Sequence, residues 1–229
     1  MFVRKIAFLL FTLILPSFCL AQRTYSGSEA FGDQLTVGYV AEMPAYLNPV
    51  DVNDLVQQQI ARMVFGTGLI QQPDRFGYIP ALVDRFIFPK NDRSQGRVWK
   101  YVIKRNINFH NGIPLRNSDI QFTFNMLKKW GGNILNRPID FSNIEAIQTS
   151  GDLEVNFVLK QKDLSFDEKL TDIPIFSRNY YQGIDQDGFD LLKKVQPLGF
   201  GPFQYLEQHP DEIILVPHSH YIFGRPFIN

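Results

Sequence analysis

The sequence predicts a fold of the α/β or α+β class. Segments with the two-residue alternation of β-strands and segments with the spacing of α-helices follow one another along the chain, without internal repeats or low-complexity tracts. The 229 residues, 45% hydrophobic and 20% charged, suffice for a large core. This composition excludes disordered, collagen-like and multi-span membrane proteins.

The first 21 residues read as a secretory signal peptide. Arg4 and Lys5 precede an apolar run over residues 6–15, and small residues stand at Cys19 and Ala21. The run is shorter than the roughly 20 apolar residues that cross a bilayer, which disfavours a membrane anchor. We therefore expect export with cleavage after Ala21.

Cleavage would leave a slightly acidic chain without cysteine. Cys19 is the only cysteine, so thiol chemistry and cysteine-ligated metals are excluded from the mature protein. The 23 basic and 23 acidic residues balance, and loss of Arg4 and Lys5 leaves a net charge of −2. Nucleic acid is not expected as a partner, because it requires a basic surface.

The first elements follow a polar leader at residues 22–34. Leu35–Val40 reads as a strand, and a proline-rich loop follows it. Apolar residues then recur at helical spacing over residues 52–64. Asn53 or Asp51 is the expected N-cap, and Gly66 is expected to end the helix.

A strand with one aromatic face and a helix come next. Trp99 and Tyr101 alternate with other residues in the strand. The capping side chains of residues 117–119 predict a helix start, with Ile120 on its apolar face, and Gly131 and Gly132 predict its end.

Two β-hairpins are expected in the remainder. Ile144–Thr149 and Leu153–Leu159 flank a Ser-Gly-Asp turn. Phe203–Glu207 and Ile213–Val216 flank a His-Pro-Asp turn.

Candidate metal sites in the sequence are weak. His218 and His220 would share one face of a strand, but no third ligand is near in sequence. Residues 185–188, Asp-Gln-Asp-Gly, resemble part of a calcium loop without its distal glutamate, so a solvated turn is the preferred interpretation. No cofactor is expected.

Catalytic motifs are missing from the sequence. It contains no G-x-S-x-G elbow, no H-E-x-x-H helix and no glycine-rich phosphate loop. Glu42 and Asp51 lie close in sequence, but a surface loop is the simpler explanation for two such carboxylates. The residues favour a binding protein over an enzyme.

One stretch carries a family resemblance. Residues 98–115, an alternating strand followed by Phe-His-Asn-Gly-Ile-Pro-Leu, resemble the signature of family 5 extracellular solute-binding proteins, the peptide-binding components of ABC importers. Asn111 stands where the family usually has aspartate. Residues 47–49 (Leu-Asn-Pro), 197–203 (Pro-Leu-Gly-Phe-Gly-Pro-Phe) and 220–226 (His-Tyr-Ile-Phe-Gly-Arg-Pro) resemble further family motifs in the right order. Phe200 replaces the usual threonine.

The resemblance implies a periplasmic-binding-protein-like lobe of type II, with a mixed sheet and flanking helices, that stops before the second lobe. It implies an N-terminal lobe over residues 35–229. Within that lobe, residues 35–60 and 175–229 would form a core subdomain, and residues 61–174 an inserted subdomain.

The resemblance also implies a function and a site. The protein would be periplasmic, would capture a peptide or related small solute, and would deliver it to an ABC permease in the inner membrane, as a monomer when full length. The implied ligand-binding residues of this lobe are Glu42, Met43, Ala45, Tyr46, Phe200 and Gly201.

Two other interpretations remain open at the level of sequence. One is an exported hydrolase fragment. The other is an adaptor lobe that pairs with a separately encoded partner.

Overall fold

The computed structural model describes residues 32–39, 44, 46–47, 49–50, 54–72, 77–87, 96–130, 133–134, 137–138, 140–183 and 188–228. The signal peptide predicted for residues 1–21 lies outside these residues, as does most of the predicted leader. In chain order the elements are α1 (Leu55–Val64), β1 (Leu69–Gln71), β2 (Tyr78–Pro80), β3 (Val83–Ile87), β4 (Val98–Ile103), α2 (Asn117–Trp130), β5 (Asn133–Ile134), β6 (Arg137–Pro138), β7 (Ile144–Ser150), β8 (Glu154–Leu159), α3 (Phe166–Lys169), α4 (Arg178–Tyr181), a 3-10 helix (Gly188–Lys193), β9 (Phe203–Gln208) and β10 (Ile213–Pro217). No helix in the described part of the chain is long and apolar enough to cross a membrane.

A four-stranded sheet in the order β3-β4-β8-β7 is the largest in the described residues, and α2 packs on it. Its strands pair antiparallel, as do β1 with β2, β5 with β6 and β9 with β10. The described sheets therefore differ from the expected mixed sheet, and the parallel pairing among the described residues is an isolated bridge between Leu69 and Thr171. Short turns account for the antiparallel pairing of β7 with β8 and of β9 with β10. The antiparallel pairing of β4 with β8 is set by tertiary packing, because α2 and β7 lie between these strands in the chain.

Aromatic side chains fill the space between the sheet and α2. Trp99 and Phe157 are cross-strand partners on β4 and β8, and both are fully buried. Phe157 contacts Phe124 of α2 and Tyr101 edge to face, with ring centroids 4.9 and 5.3 Å apart. The predicted aromatic face of β4 is therefore confirmed, and it belongs to the core.

Both predicted hairpins are present with short turns. β7 and β8 pair from Ile144 with Leu159 to Ser150 with Glu154, and β9 pairs with β10. The expected strand Leu35–Val40 is wrong over its described part. Residues 35–39 have no strand pairing, and Leu35 and Val37 are exposed. Strand-like alternation produces a strand only where a neighbouring strand accepts its hydrogen bonds.

The N-cap of helix α1 lies one residue after Asn53 and three residues after Asp51, the two expected caps. Asp54 is the N-cap, and its carboxylate accepts hydrogen bonds from the backbone N–H groups of Val56 and Gln57 at 2.8 and 2.9 Å. Asp51 and Asn53 lie outside the described residues. The helix ends at Val64, close to the predicted end at Gly66.

Helix α2 is joined to the rest of the fold by buried polar side chains. Asp119, 6% exposed, accepts hydrogen bonds from the backbone N–H groups of Arg116 and Arg178, both at 2.7 Å. Thr123 accepts one from the N–H of Phe176 at 2.9 Å. The side chain of Asn117, an expected capping residue, instead donates to the carbonyls of the β7–β8 turn region. These bonds fix both the start of α2 and the segment that leads into α4.

The segment over residues 198–202, called the glycine segment below, lies against the C-terminal end of α1. Side chains at Gly199 or Gly201 would collide with the backbone of Met63 and Val64, so both positions require glycine. The N–H of Gly201 donates to the Val64 carbonyl at 3.0 Å. The buried Tyr181 hydroxyl accepts from the N–H of Leu198 at 2.7 Å and lies 3.0 Å from its carbonyl.

Two histidines close over the other side of the glycine segment. Nε2 of His110 and Nδ1 of His218 each lie 3.1 Å from the carbonyl oxygen of Gly201. Since a carbonyl only accepts, each ring must donate, which fixes both tautomers. The rings meet edge to face with centroids 4.8 Å apart. Burial lowers the pKa of His110 from 6.5 to about 4, and burial also lowers the pKa of His218.

We expect Asp119→Ala to lower the free energy of unfolding by about 2–4 kcal/mol. It leaves two backbone N–H groups without their acceptor, each costing about 1–3 kcal/mol when buried. Urea unfolding followed by circular dichroism measures the change. Asp211→Ala, at an exposed turn, is the matched control and should change stability by less than about 0.5 kcal/mol. Equal losses in the two variants would contradict the role of Asp119.

We expect stability to fall between pH 6.5 and pH 4 through His110. Its folded-state pKa lies below that of the unfolded chain, so the unfolded chain takes up the proton first as the pH falls. The contribution of neutral His110 to the free energy of unfolding is complete above pH 6.5, and about 3 kcal/mol of that free energy is lost by pH 4.

Urea unfolding at pH 7 and pH 4.5 tests this for the wild type, His110→Gln and His220→Gln. The loss on acidification should shrink in His110→Gln and persist in His220→Gln, because His220 is exposed. An unchanged loss in His110→Gln would assign the acid sensitivity to other groups.

Candidate functional site

A pocket opens where the end of α1, the start of β1 and the glycine segment meet. Its lining consists of Arg62, Phe65, Gly66, Thr67, Ile70, Ala81, Asp172, Phe200, Pro202, Tyr221 and Ile222. The space inside is about 90 Å³. In this measure one water molecule needs about 10–15 Å³, so the pocket has room for a group of several heavy atoms, about one amino-acid residue, rather than for a large ligand.

Phe200 forms the inner wall of this pocket. It is 2% exposed, its ring meets Phe109 edge to face at 6.0 Å, and it covers Gly66 so closely that a side chain there would collide with the ring. The aromatic residue at this position therefore fills space between β1 and the glycine segment. The usual threonine of the family would leave part of that space open.

Charged and hydroxyl groups lie among these apolar walls. Nη1 of Arg62 lies 3.2 Å from the Asp172 carboxylate, and the side chain of Arg62 is 47% exposed while that of Asp172 is 7% exposed. The Thr67 hydroxyl donates to the Leu69 carbonyl at 3.2 Å. Burial raises the pKa of Tyr221, so its hydroxyl stays protonated at neutral pH.

Asp172 is held by the backbone in an unusual conformation. Its φ is 56°, a left-handed value that aspartate tolerates better than most residues. Its N–H donates to the Leu69 carbonyl at 2.7 Å, between the bridges from Leu69 to Thr171 and from Thr67 to Pro174. The backbone therefore directs this carboxylate toward α1.

The residues predicted for the ligand site lie in two places. Glu42, Met43 and Ala45 lie outside the described residues, and Tyr46 is half-buried. Phe200 lines the pocket, and Gly201 lies behind it against α1. The site as a whole stays a prediction.

The two candidate metal-binding histidines, His218 and His220, lie in different environments. His218 is buried beside Gly201, whereas His220 is exposed and contacts Ser219. Among the described residues, no three histidine, cysteine, aspartate or glutamate side chains come together to hold a metal ion. Asp185 to Asp187 of the suggested calcium loop, and Glu42 and Asp51, lie outside those residues.

Arg62, Asp172 and Tyr221 were not found from the sequence. Tyr221 belongs to the family motif at residues 220–226, but nothing in that motif indicates a pocket. Arg62 and Asp172 lie far apart in the chain, and neither belongs to a motif with a recognisable spacing. The one available signal is that Asp172 directly precedes the apolar run Ile-Pro-Ile-Phe. A carboxylate that is buried with such a run requires a charged or hydrogen-bonding partner.

The Phe-His-Asn-Gly-Ile-Pro-Leu motif forms a tight loop beside the glycine segment. The Asn111 side chain accepts a hydrogen bond from the N–H of Ile113 at 3.1 Å, as an aspartate would. Gly112 has a φ of 79°, which requires glycine. The loop thereby brings the N–H of His110 to the Gly199 carbonyl at 2.9 Å.

The chain matches known solute-binding proteins over most of its length. The family model described as bacterial extracellular solute-binding proteins, family 5 Middle, matches residues 78–229, more than half of the chain. Among curated proteins, the oligopeptide-binding protein AppA of Bacillus subtilis is 24% identical over 213 residues, covering 89% of this chain and 37% of its own length.

Solved structures show the same fold. AppA of Bacillus subtilis in complex with a nonapeptide superposes with a TM-score of 0.72 and 23% identity over 87% of this chain and 39% of its own. The ABC transporter substrate-binding protein CtaP of Listeria monocytogenes gives a TM-score of 0.66 and 20% identity over 83% of this chain and 38% of its own. The chain thus spans less than two fifths of these relatives.

The matched family model includes the alternating strand β4, the loop that holds His110 and the glycine segment. The sequence resemblance and the fold therefore agree, and the chain belongs to the family 5 bacterial extracellular solute-binding proteins.

Proposed function

We propose that this chain captures a peptide or a related small solute outside the cytoplasmic membrane and serves an ABC importer. The family match over residues 78–229 carries the proposal. The names of the relatives support it, since one is an oligopeptide-binding protein and another an ABC transporter substrate-binding protein. Periplasmic export with cleavage after Ala21, and delivery to an inner-membrane permease, belong to the same proposal.

The proposed contacts come from the proline-rich loop after residue 40, called the first loop below, and from the glycine segment. Glu42, Met43, Ala45 and Tyr46 would hold an extended solute through backbone pairing and side-chain pockets. The N–H and the carbonyl of Gly201 are already hydrogen bonded to Val64 and the two histidines. Gly201 would therefore act through the close backbone approach that it permits, rather than as a hydrogen-bonding group.

Capture in this proposal requires no catalytic group. A solute-binding protein works by closing over its ligand, and the closed state is favoured only by the contacts that the solute makes there. Because the chain spans less than two fifths of its matched relatives, we expect the described residues alone to bind weakly, nearer millimolar than nanomolar affinity, or about −4 kcal/mol.

Titration calorimetry with a nonapeptide of defined sequence tests the proposal. Tyr46→Ala should weaken binding about fivefold to tenfold, since an aromatic contact contributes about 1 kcal/mol. Tyr180→Ala, at an exposed tyrosine of α4, is the matched control and should leave affinity unchanged.

Equal affinity in wild type and Tyr46→Ala would remove the first loop from the site. Absence of peptide binding together with measurable hydrolysis of an ester or peptide would replace the proposal with an exported hydrolase.

A further inference from the structure

The pocket at the end of α1 has the composition of a specific subsite. Phe65, Ile70, Phe200 and Ile222 supply apolar walls from four separate segments. The lining also contains the ion pair of Arg62 with Asp172 and the hydroxyl groups of Thr67 and Tyr221. A cavity left by loose apolar packing would not require these polar groups.

The accessible charged group of the pocket is a hydrogen-bond donor, the guanidinium of Arg62. The guanidinium of Arg62 is half exposed and has five N–H groups, of which one nitrogen contacts Asp172. The Tyr221 hydroxyl is neutral at physiological pH and can donate a hydrogen bond, and burial raises its pKa further. The acceptor among the charged groups, Asp172, is 7% exposed and is paired with the guanidinium. An incoming solute thus meets a cationic donor and a hydroxyl group that can donate.

The Asp172 carboxylate positions the guanidinium. Its backbone is fixed by the hydrogen bond to Leu69 and by the bridges on either side. An arginine whose orientation is fixed by a buried partner loses less side-chain freedom on binding, and its planar fork matches a carboxylate. The ion pair therefore prepares Arg62 to receive an anionic acceptor.

We propose that this pocket binds an apolar carboxylate the size of one amino-acid residue. The carboxylate would accept hydrogen bonds from Arg62 and Tyr221, and the branched side chain would lie against Ile70 and Ile222. Such a group is present both in a free apolar amino acid and in the C-terminal residue of a peptide. The inference rests on the proposed solute-binding function and names the chemistry of one of its subsites.

Equilibrium dialysis against paired probes tests the chemistry on the intact chain. N-acetyl-leucine should bind at least tenfold more tightly than N-acetyl-leucinamide, which lacks the carboxylate. N-acetyl-aspartate should bind as weakly as the amide, because it lacks the apolar side chain. Gly-Gly-Leu against its amide distinguishes the sources: preference for the acid tripeptide assigns the pocket to peptide C-termini, and binding of acetyl-leucine alone assigns it to free amino-acid derivatives.

The variant with Arg62→Gln and Asp172→Asn removes both charges without leaving a buried carboxylate unpaired, and asparagine also tolerates the left-handed backbone. This double variant should bind N-acetyl-leucine at least tenfold more weakly than the wild type does. The matched control, Lys169→Gln with Asp163→Asn, neutralises another ion pair and should leave affinity unchanged. Tyr221→Phe should lower the affinity for N-acetyl-leucine about threefold to tenfold.

Equal binding of acid and amide, or equal affinity in wild type and the Arg62 and Asp172 variant, would overturn the inference. The nonapeptide titration separates this failure from failure of the proposed function. Peptide binding without acetyl-leucine binding overturns the subsite alone, and absence of binding by either probe overturns both.

Discussion

The described structure depends on the close contact between the glycine segment and the last turn of α1. Gly199 and Gly201 lie against the backbone of Met63 and Val64, where no side chain fits. Because that approach is possible, one backbone segment can contact α1 on one side and two histidines on the other. Elements far apart in sequence are thereby joined through main-chain groups.

The same contact explains how a pocket forms in an otherwise dense region. The Phe200 ring occupies the space next to Gly66 and forms one wall of the pocket that Arg62 and Ile222 also line. On the sheet side, aromatic rings pack the core: Phe166 contacts both Trp99 and Phe157, and all three side chains are fully buried. The high phenylalanine content of the sequence thus serves mainly to fill the interior in the described residues.

Residues 32–39 and the C-terminal stretch both carry exposed apolar side chains. The N–H of Gly32 donates to the Phe227 carbonyl at 3.1 Å. Leu35 and Val37 on one stretch, and Phe223 and Phe227 on the other, are more than half exposed. The strand-like alternation in residues 35–39 did not predict the structure there, because such a pattern indicates only a tendency to lie in a sheet. Within the described structure, no strand pairs with these residues.

Local pattern was sufficient for the elements whose partners are close in sequence. The alternation in β4, the apolar face of α2 and the two hairpins follow from side-chain spacing and turn residues, and the motif around His110 was enough to identify the family. The sequence by itself thus determined the fold class, the two longer helices, β4, the two hairpins and the family. It could not determine that Asp54 caps α1, because Asp51 and Asn53 offered the same chemistry.

Only the tertiary structure decided which residues meet. Arg62 and Asp172 form their ion pair across 110 positions, and His110 and His218 share one carbonyl across a similar separation. Neither pair has a characteristic spacing in the sequence, because such contacts depend on how the loops bring strands and helices together. Residue periodicity reflects the environment of a side chain within its own element. The partner of a buried charge is set by the packing of different elements.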